Sequence, residues 1–278
     1  MGTSASVSGA GPGVPLVPDW VEDVSADDAS STDPESATET AQVAPQQIPL
    51  APKARLASAR REMGKFATDG ERSHLRRGVA NYVRSGRGGA AMATRRSAGS
   101  ASRGVSLAGI VGGSPAFDLV RDRIRDAIAS SGDPDLLLAA IAAAASPNDG
   151  TLDSETGQRA ASEALQHVLE LNPDADLLNL GTSDRETLLE RFLAIDCYEL
   201  FMGEVGKHIQ SKVDLATAAE RIDGIKDYFC ETFRQTNRTR RENGSRSLGS
   251  ASDQQIAAVC RAVVAEAYFT FEVYLDEN

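Results

Sequence analysis

From Ser114 to Leu275 the apolar residues recur every three or four positions, and no long stretch alternates apolar with polar residues. An α-helix turns once in about 3.6 residues, so this spacing gathers the apolar side chains on one face. A strand would need a period of two. A chain patterned this way can close a core only by packing helix on helix. The abundance of alanine and leucine and an aromatic content of 5% agree, because small residues let helices approach closely while sandwiches favour aromatic and β-branched residues. The expected fold class is all-α.

The helices can be placed one by one. Ser114-Pro115 can open a helix to about Ala129, with Phe117, Val120, Ile124 and Ile128 on one side. Asp133 is placed to cap a very apolar helix over Pro134–Ala145, which reads as a buried core element. Asp153–Leu171 is amphipathic through Ala160, Ala164, Leu165, Val168 and Leu169. Ser183 and Glu186 have capping-box spacing before a long helix from Asp184 to about Val213, with Leu188, Phe192, Ile195, Met202, Val205 and Ile209 as its stripe. Leu215–Arg241 and Ser252–Leu275 supply two more, with Phe229, Phe233, Val259, Val263, Phe271 and Tyr274 as expected core.

Charge divides the chain. Residues 1–50 hold eight acids and no lysine or arginine, residues 53–103 hold thirteen bases and three acids, and the rest is acidic again, within a formal net charge of -11. Residues 1–50 are rich in Ser, Ala, Gly, Pro and acids and read as a disordered acidic arm. The arm contains Pro15, Leu16, Pro18 and Trp20, the only Trp of the chain, in a segment whose prolines favour an extended backbone. A Trp in so polar a stretch is a docking anchor, for the chain's own domain or for a partner. Removal of the initiator Met would leave Gly2 as a free amino terminus, followed by Thr3 and Ser4.

Residues 51–113 read as a basic, Arg/Gly-rich helical region beside the 114–278 bundle. Two short helices are expected, from Lys53 to about Thr68 (Leu56, Arg60, Met63, Ala67) and from Glu71 to Arg84 (Leu75, Val79, Tyr82, Val83), the second stopped by Gly86. A third is expected around Ala90–Ser97. The small residues of Gly86–Gly113 fit either close helix packing or a flexible loop. Arg72, Arg76, Arg77, Arg84, Arg87, Arg95 and Arg96 form a candidate basic patch. Arginine suits bidentate phosphate contacts, yet Tyr82 is the only aromatic between Glu71 and Arg103 for a base to stack on. Nucleic acid, the chain's own acidic arm and an acidic protein all remain partners that charge permits, with protein or intramolecular contact favoured.

Other functions lack their residues. No phosphate-cradling GxxxxGK[ST] loop and no GxSxG elbow occurs. His74, His167 and His208 are scattered. Glu204 and His208, four apart, read as a surface pair and not as a metal site. Asp196 and Glu199 beside Cys197 read as a solvated helix edge. Cys197, Cys230 and Cys260 are odd in number and far apart, as reduced thiols of a cytosolic protein would be. No apolar run approaches the roughly 20 residues needed to span a bilayer, and no secretory signal is visible. Met1-Gly2 with Ser6 matches a myristoylation pattern, but Asp19, Glu22 and Asp23 would be repelled by anionic lipid. The expectation is a cytoplasmic, non-enzymatic protein without cofactor or metal.

The arginine block SARREMGKFATDGERSHLRRGVANYVRSGRGGAAMATRRSAGS resembles the QatB family of bacterial Qat anti-phage systems. So does MGTS followed, after a Gly-rich spacer, by VPLVPDWVED, with LRRG-x-x-x-YVRSG-x-GG and ATRR in the same order. These features cover most of residues 1–103; the C-terminal helices agree in type only. The resemblance implies a protein encoded with an ATPase, a QueC-like enzyme and a TatD-like nuclease and needed for phage defence. QueC-like enzymes make a 7-cyano-7-deazaguanine, and relatives in defence systems are associated with joining such a base to an N-terminal glycine. Carried over, Gly2 would be the acceptor, Thr3 and Ser4 the thread, and Pro15, Leu16, Pro18 and Trp20 part of the surface that binds the QueC-like partner. The alternative is an adaptor that uses the arginine block to recruit the nuclease to phage DNA.

Overall fold

The computed structural model describes residues 54–131 and 135–275. The acidic arm with Gly2 and the Trp20 segment, Pro52 and Lys53, and the Asp133 cap with Pro134 lie outside the described residues. From Leu56 onward the chain forms one compact unit, helical and without a strand among the described residues. Its elements are α1 (Ala57–Asp69), α2 (Arg72–Asn81), α3 (Ala90–Arg96), α4 (Ala98–Val111), α5 (Asp118–Ser131), α6 (Asp135–Ala145), α7 (Leu152–Leu171), α8 (Thr182–Val205), α9 (Lys207–Gln210), α10 (Leu215–Glu242) and α11 (Ile256–Val273). A π-helical turn, Tyr82–Gly86, continues α2, and a 3₁₀ turn, Pro115–Phe117, precedes α5.

The organising element is α8. From Leu188 to Phe201 its buried residues include Leu189, Phe192, Leu193, Ile195, Cys197 and Tyr198, so it is buried around most of its circumference. A helix apolar on all sides belongs at the centre of a bundle, and α4, α7 and α10 pack against it, with α11 packed in turn on α4 and α10. Aromatic rings link the π-helical turn, α8, α10 and α11: Tyr82 meets Phe201 edge to face at 4.9 Å, and Phe201–Phe229 at 5.5 Å and Phe229–Phe271 at 4.9 Å between centroids are tilted pairs. Each such pair adds about 0.5–1.5 kcal/mol beyond the area it buries.

The Gly/Ala/Ser-rich segment resolves to close packing. It folds as α4, whose Ser100, Ala101, Gly104, Leu107, Ala108, Ile110 and Val111 are buried. A methyl placed at Gly104 would lie 3.3 Å from Leu193 and 3.5 Å from Cys260, so the glycine sets how near α4 runs to α8 and α11. Gly109 makes the same allowance for the Phe117 ring. From Leu56 to Gly113 the basic region is thus packed into the same unit as the later helices.

Several local expectations are corrected. The helix expected from Asp184 begins at Thr182 after Gly181, with no side chain capping it, so Ser183 forms no capping box. The chain does not continue helically to Val213: α8 ends at Val205, and Gly206 packs too tightly on Met202 for a side chain before the short α9 starts. Helix α6 is half-buried. Ile141, Ala142 and Ala145 face the core, but Leu136 remains 45% exposed. Working caps occur elsewhere: Thr151 accepts a bond from Ser154 N, and Asp214 accepts from Ala216 N and Thr217 N, fixing the starts of α7 and α10.

Candidate interaction surfaces

The arginine block is divided by the fold. Arg72, Arg76 and Arg77 stand exposed on α2, because the other face of that helix buries Leu75, Gly78 and Val79. Arg76 lies 5.6 Å above the Tyr274 ring. Arg95 is exposed and Arg96 half-exposed on α3. Arg84 is half-exposed and 3.7 Å from Glu272, whose other oxygen accepts a bond from Ala90 N at the start of α3.

Arg87 does not belong to a surface patch, and that assignment is corrected: it is 7% exposed. The π-helical turn closes with Arg87 N bonded to Tyr82 O at 2.8 Å, and Gly88 and Gly89 follow with φ of 88° and 93°. This widened turn folds the side chain inward. Its Nε donates to Tyr82 Oη at 2.7 Å, the guanidinium lies 5.1 Å over the Tyr82 ring, and Nη2 approaches Glu204 at 3.5 Å. Burial pushes the Tyr82 hydroxyl well above the usual phenol range, and the Arg87 guanidinium opposes that rise.

Arg103, at the end of the same block, reaches Asp196 on α8 at 2.7 Å. The expectation of a solvated edge fails here, because Asp196 and Cys197 are fully buried. Glu199 alone is partly exposed, 3.3 Å from Arg159. Burial raises the Asp196 carboxyl and Arg103 opposes the rise. Burial, with Asp196 adding to it, pushes the Cys197 thiol up to about 12, which leaves it a poor nucleophile. Gly157 makes room for this pair, since a methyl there would lie 2.6 Å from the Arg103 side chain. Nearby, Ser97 and Tyr268 share a hydroxyl–hydroxyl bond of 2.8 Å. The arginine-rich run therefore supplies the core with its polar ties as well as the surface with charge.

A second polar cluster joins α8 to α10. Asn237 Nδ2 donates to Glu186 at 2.6 Å and to Glu190 at 3.1 Å. Burial pushes the Glu190 carboxyl up to about 7, with the Asn237 bond resisting and Glu186 assisting. Sequence spacing had given Glu186 a different task, that of closing a capping box.

Two clefts open on the surface. The first, about 770 Å³, runs along α10 between α2 and α11 and has Phe66, Leu75, Tyr228 and Phe269 among its lining. The second, about 750 Å³, is a basic cradle between α1 and α9 lined by Arg60, Arg61, Lys65, His208 and Lys212 with Asp69. The first cleft could not be seen in the sequence. Phe269 stands 62% exposed in its lining, on a helix whose other aromatics are core. Glu204 and His208 do not pair: Glu204 faces Arg87 and His208 lies in the cradle. Among the described residues no group of His, Cys, Asp or Glu could hold a metal, and no helix is long and apolar enough to cross a membrane.

An all-α protein that pairs Arg87 and Arg103 with carboxylates inside its bundle and carries two clefts on its surface is the class this geometry defines. Over residues 88–271 the chain matches the family described as Qat anti-phage system associated protein QatB, and it belongs to that family. It is thus a component of a Qat anti-phage system. No curated protein and no solved structure matches the chain.

Proposed function

We propose that this protein is a non-enzymatic subunit of its Qat system that binds the QueC-like enzyme and presents Gly2 for deazaguanine-type modification. Membership of the family over residues 88–271 carries the reading, because it makes the chain a component of a Qat system, and the resemblance implies that a QueC-like enzyme is encoded with it. The sequence supports the acceptor role. Gly2 has no side chain to hinder approach, and Thr3, Ser4 and a Gly-rich spacer separate it from Pro15, Leu16, Pro18 and Trp20. An α-amine with an ordinary pKa of about 7.7–8.0 is partly unprotonated, and so nucleophilic, at neutral pH. The ATPase and the TatD-like nuclease are the further partners this reading allows, in the cytoplasm and without a cofactor of its own.

The test is the intact mass of the protein purified with and without its QueC-like partner, followed by fragmentation of the N-terminal peptide. A partner-dependent mass increase on Gly2, absent in Gly2→Pro, is expected. An unmodified Gly2 in both samples rejects the mechanism.

The second reading, a nucleic-acid adaptor, is favoured by one observation, the α1–α9 cradle with Arg60, Arg61, Lys65, His208 and Lys212. It requires DNA binding that weakens steeply with salt, by a slope of about -0.9 for each phosphate neutralised.

A further inference from the structure

The cleft along α10 is shaped for one kind of object. Its lining residues on α10 run from Glu220 through Gly224, Asp227, Tyr228, Glu231, Thr232, Gln235 and Thr236 to Thr239. That is the i, i+3, i+4 repeat of a single helix face, continued over about 28 Å at 1.5 Å per residue. The trough is less polar than its residue types suggest. Thr232, Thr236 and Thr270 donate their hydroxyls to their own helices, to Tyr228 O, Thr232 O and Glu266 O at 2.8, 2.8 and 2.9 Å, which leaves their methyls to the cleft. With Leu75 and Tyr228 they make an apolar floor, and Phe269 stands at its edge at 62% exposure. An exposed aromatic beside an apolar trough is the usual anchor of a protein interface.

Charge narrows the occupant. The α10 and α11 walls carry Glu220, Asp227, Glu231 and Glu266, and the α2 wall carries Arg72 and Arg76. Arg221 is committed to the floor, over the Phe66 ring at 5.9 Å and paired with Glu220 at 3.0 Å. Glu231 pairs with Arg234 and Glu266 with Arg240, both on α10. The exposed Glu231 pair holds little energy and yields readily to a partner's cation. The matching ligand is a helix of about five turns with an apolar stripe, basic residues along the edge facing α10 and α11, and acidic residues toward α2. Residues 1–50 of this chain contain no lysine or arginine and cannot supply that edge.

We infer that this cleft is the docking site for an amphipathic, basic-edged helix of another subunit of the same system. The inference rests on the reading of the chain as a partner-binding subunit and adds where the partner sits. It does not depend on Gly2, so the mass measurement and the following test can fail separately. In cells carrying the complete system, Phe269 is replaced in the full-length chain by photoreactive p-benzoylphenylalanine, and the cross-linked peptide is identified by mass spectrometry. A cross-link to a helical segment of another Qat subunit with that charge pattern is expected, together with at least a tenfold weaker association of that subunit with Phe269→Glu. The Tm of Phe269→Glu should match the parent, since the side chain is exposed. A cross-link to residues 1–50, to a second copy of this chain or only to proteins outside the system overturns the inference, as does no cross-link at all.

Discussion

Arg103 and Arg76 belong to one arginine-rich run and do opposite things. Arg103 reaches inward from α4 to a carboxylate with no exposure, whereas Arg76 rests on a ring at the surface of α2. The difference lies in the helices that carry them. Helix α4 is lined with glycine, alanine and serine and is drawn against α8, so a long side chain on it meets buried Asp196. Helix α2 buries only one stripe, and its arginines fall on the other face. Arginine density alone therefore says little about a nucleic-acid surface; the neighbours at helical spacing decide which way the charge points.

The largest effect is expected where the inward half is broken. Arg103→Ala leaves a carboxylate buried without its partner, and loss of about 3–5 kcal/mol is expected in denaturant titration. Replacing the pair together, Arg103→Met with Asp196→Leu, should recover much of that loss, because no charge is then left unmatched. Next comes Arg87→Met, which removes the donor to Tyr82 Oη and the approach to Glu204, and about 1–3 kcal/mol should go.

Glu190 tests the polar cluster by pH. Its folded-state pKa of about 7 lies above the unfolded value, so between about pH 4.5 and 7 the folded chain holds more protons than the unfolded one. Stability contributed there is present at low pH and lost as pH rises through 7. Glu190→Gln should flatten this slope and raise stability at pH 8 by about 1–2 kcal/mol, read from Tm against pH. The smallest effect belongs to the outward half. Arg72→Ala, Arg76→Ala and Arg77→Ala should each change stability by less than about 0.5 kcal/mol.

Most of the fold was legible because the helical period is strong where helices bury one stripe, as Leu75, Val79, Tyr82 and Val83 show. Helix α4 was ambiguous because its packing face is made of small residues, which serve a loop equally well until a neighbour is in place. The break at Gly206 and the uncapped start at Gly181 were hidden for a related reason. Tertiary contacts set them, and Ser183 with Glu186 matched a local rule that the fold did not use. Asp196 was misread since nothing near it in sequence announces its partner, which lies on α4. The cleft was invisible in principle: it exists only between α2, α10 and α11.

The most direct test of the account is plating efficiency of phage on cells carrying the complete system, with this protein as Gly2→Pro or as the Arg72→Ala/Arg76→Ala/Arg77→Ala triple variant, each at matched protein level. The account predicts that Gly2→Pro abolishes protection and that the triple variant keeps most of it. Full protection by Gly2→Pro, with protection lost in the triple variant, would contradict it and move the function from the amino terminus to the outward arginines.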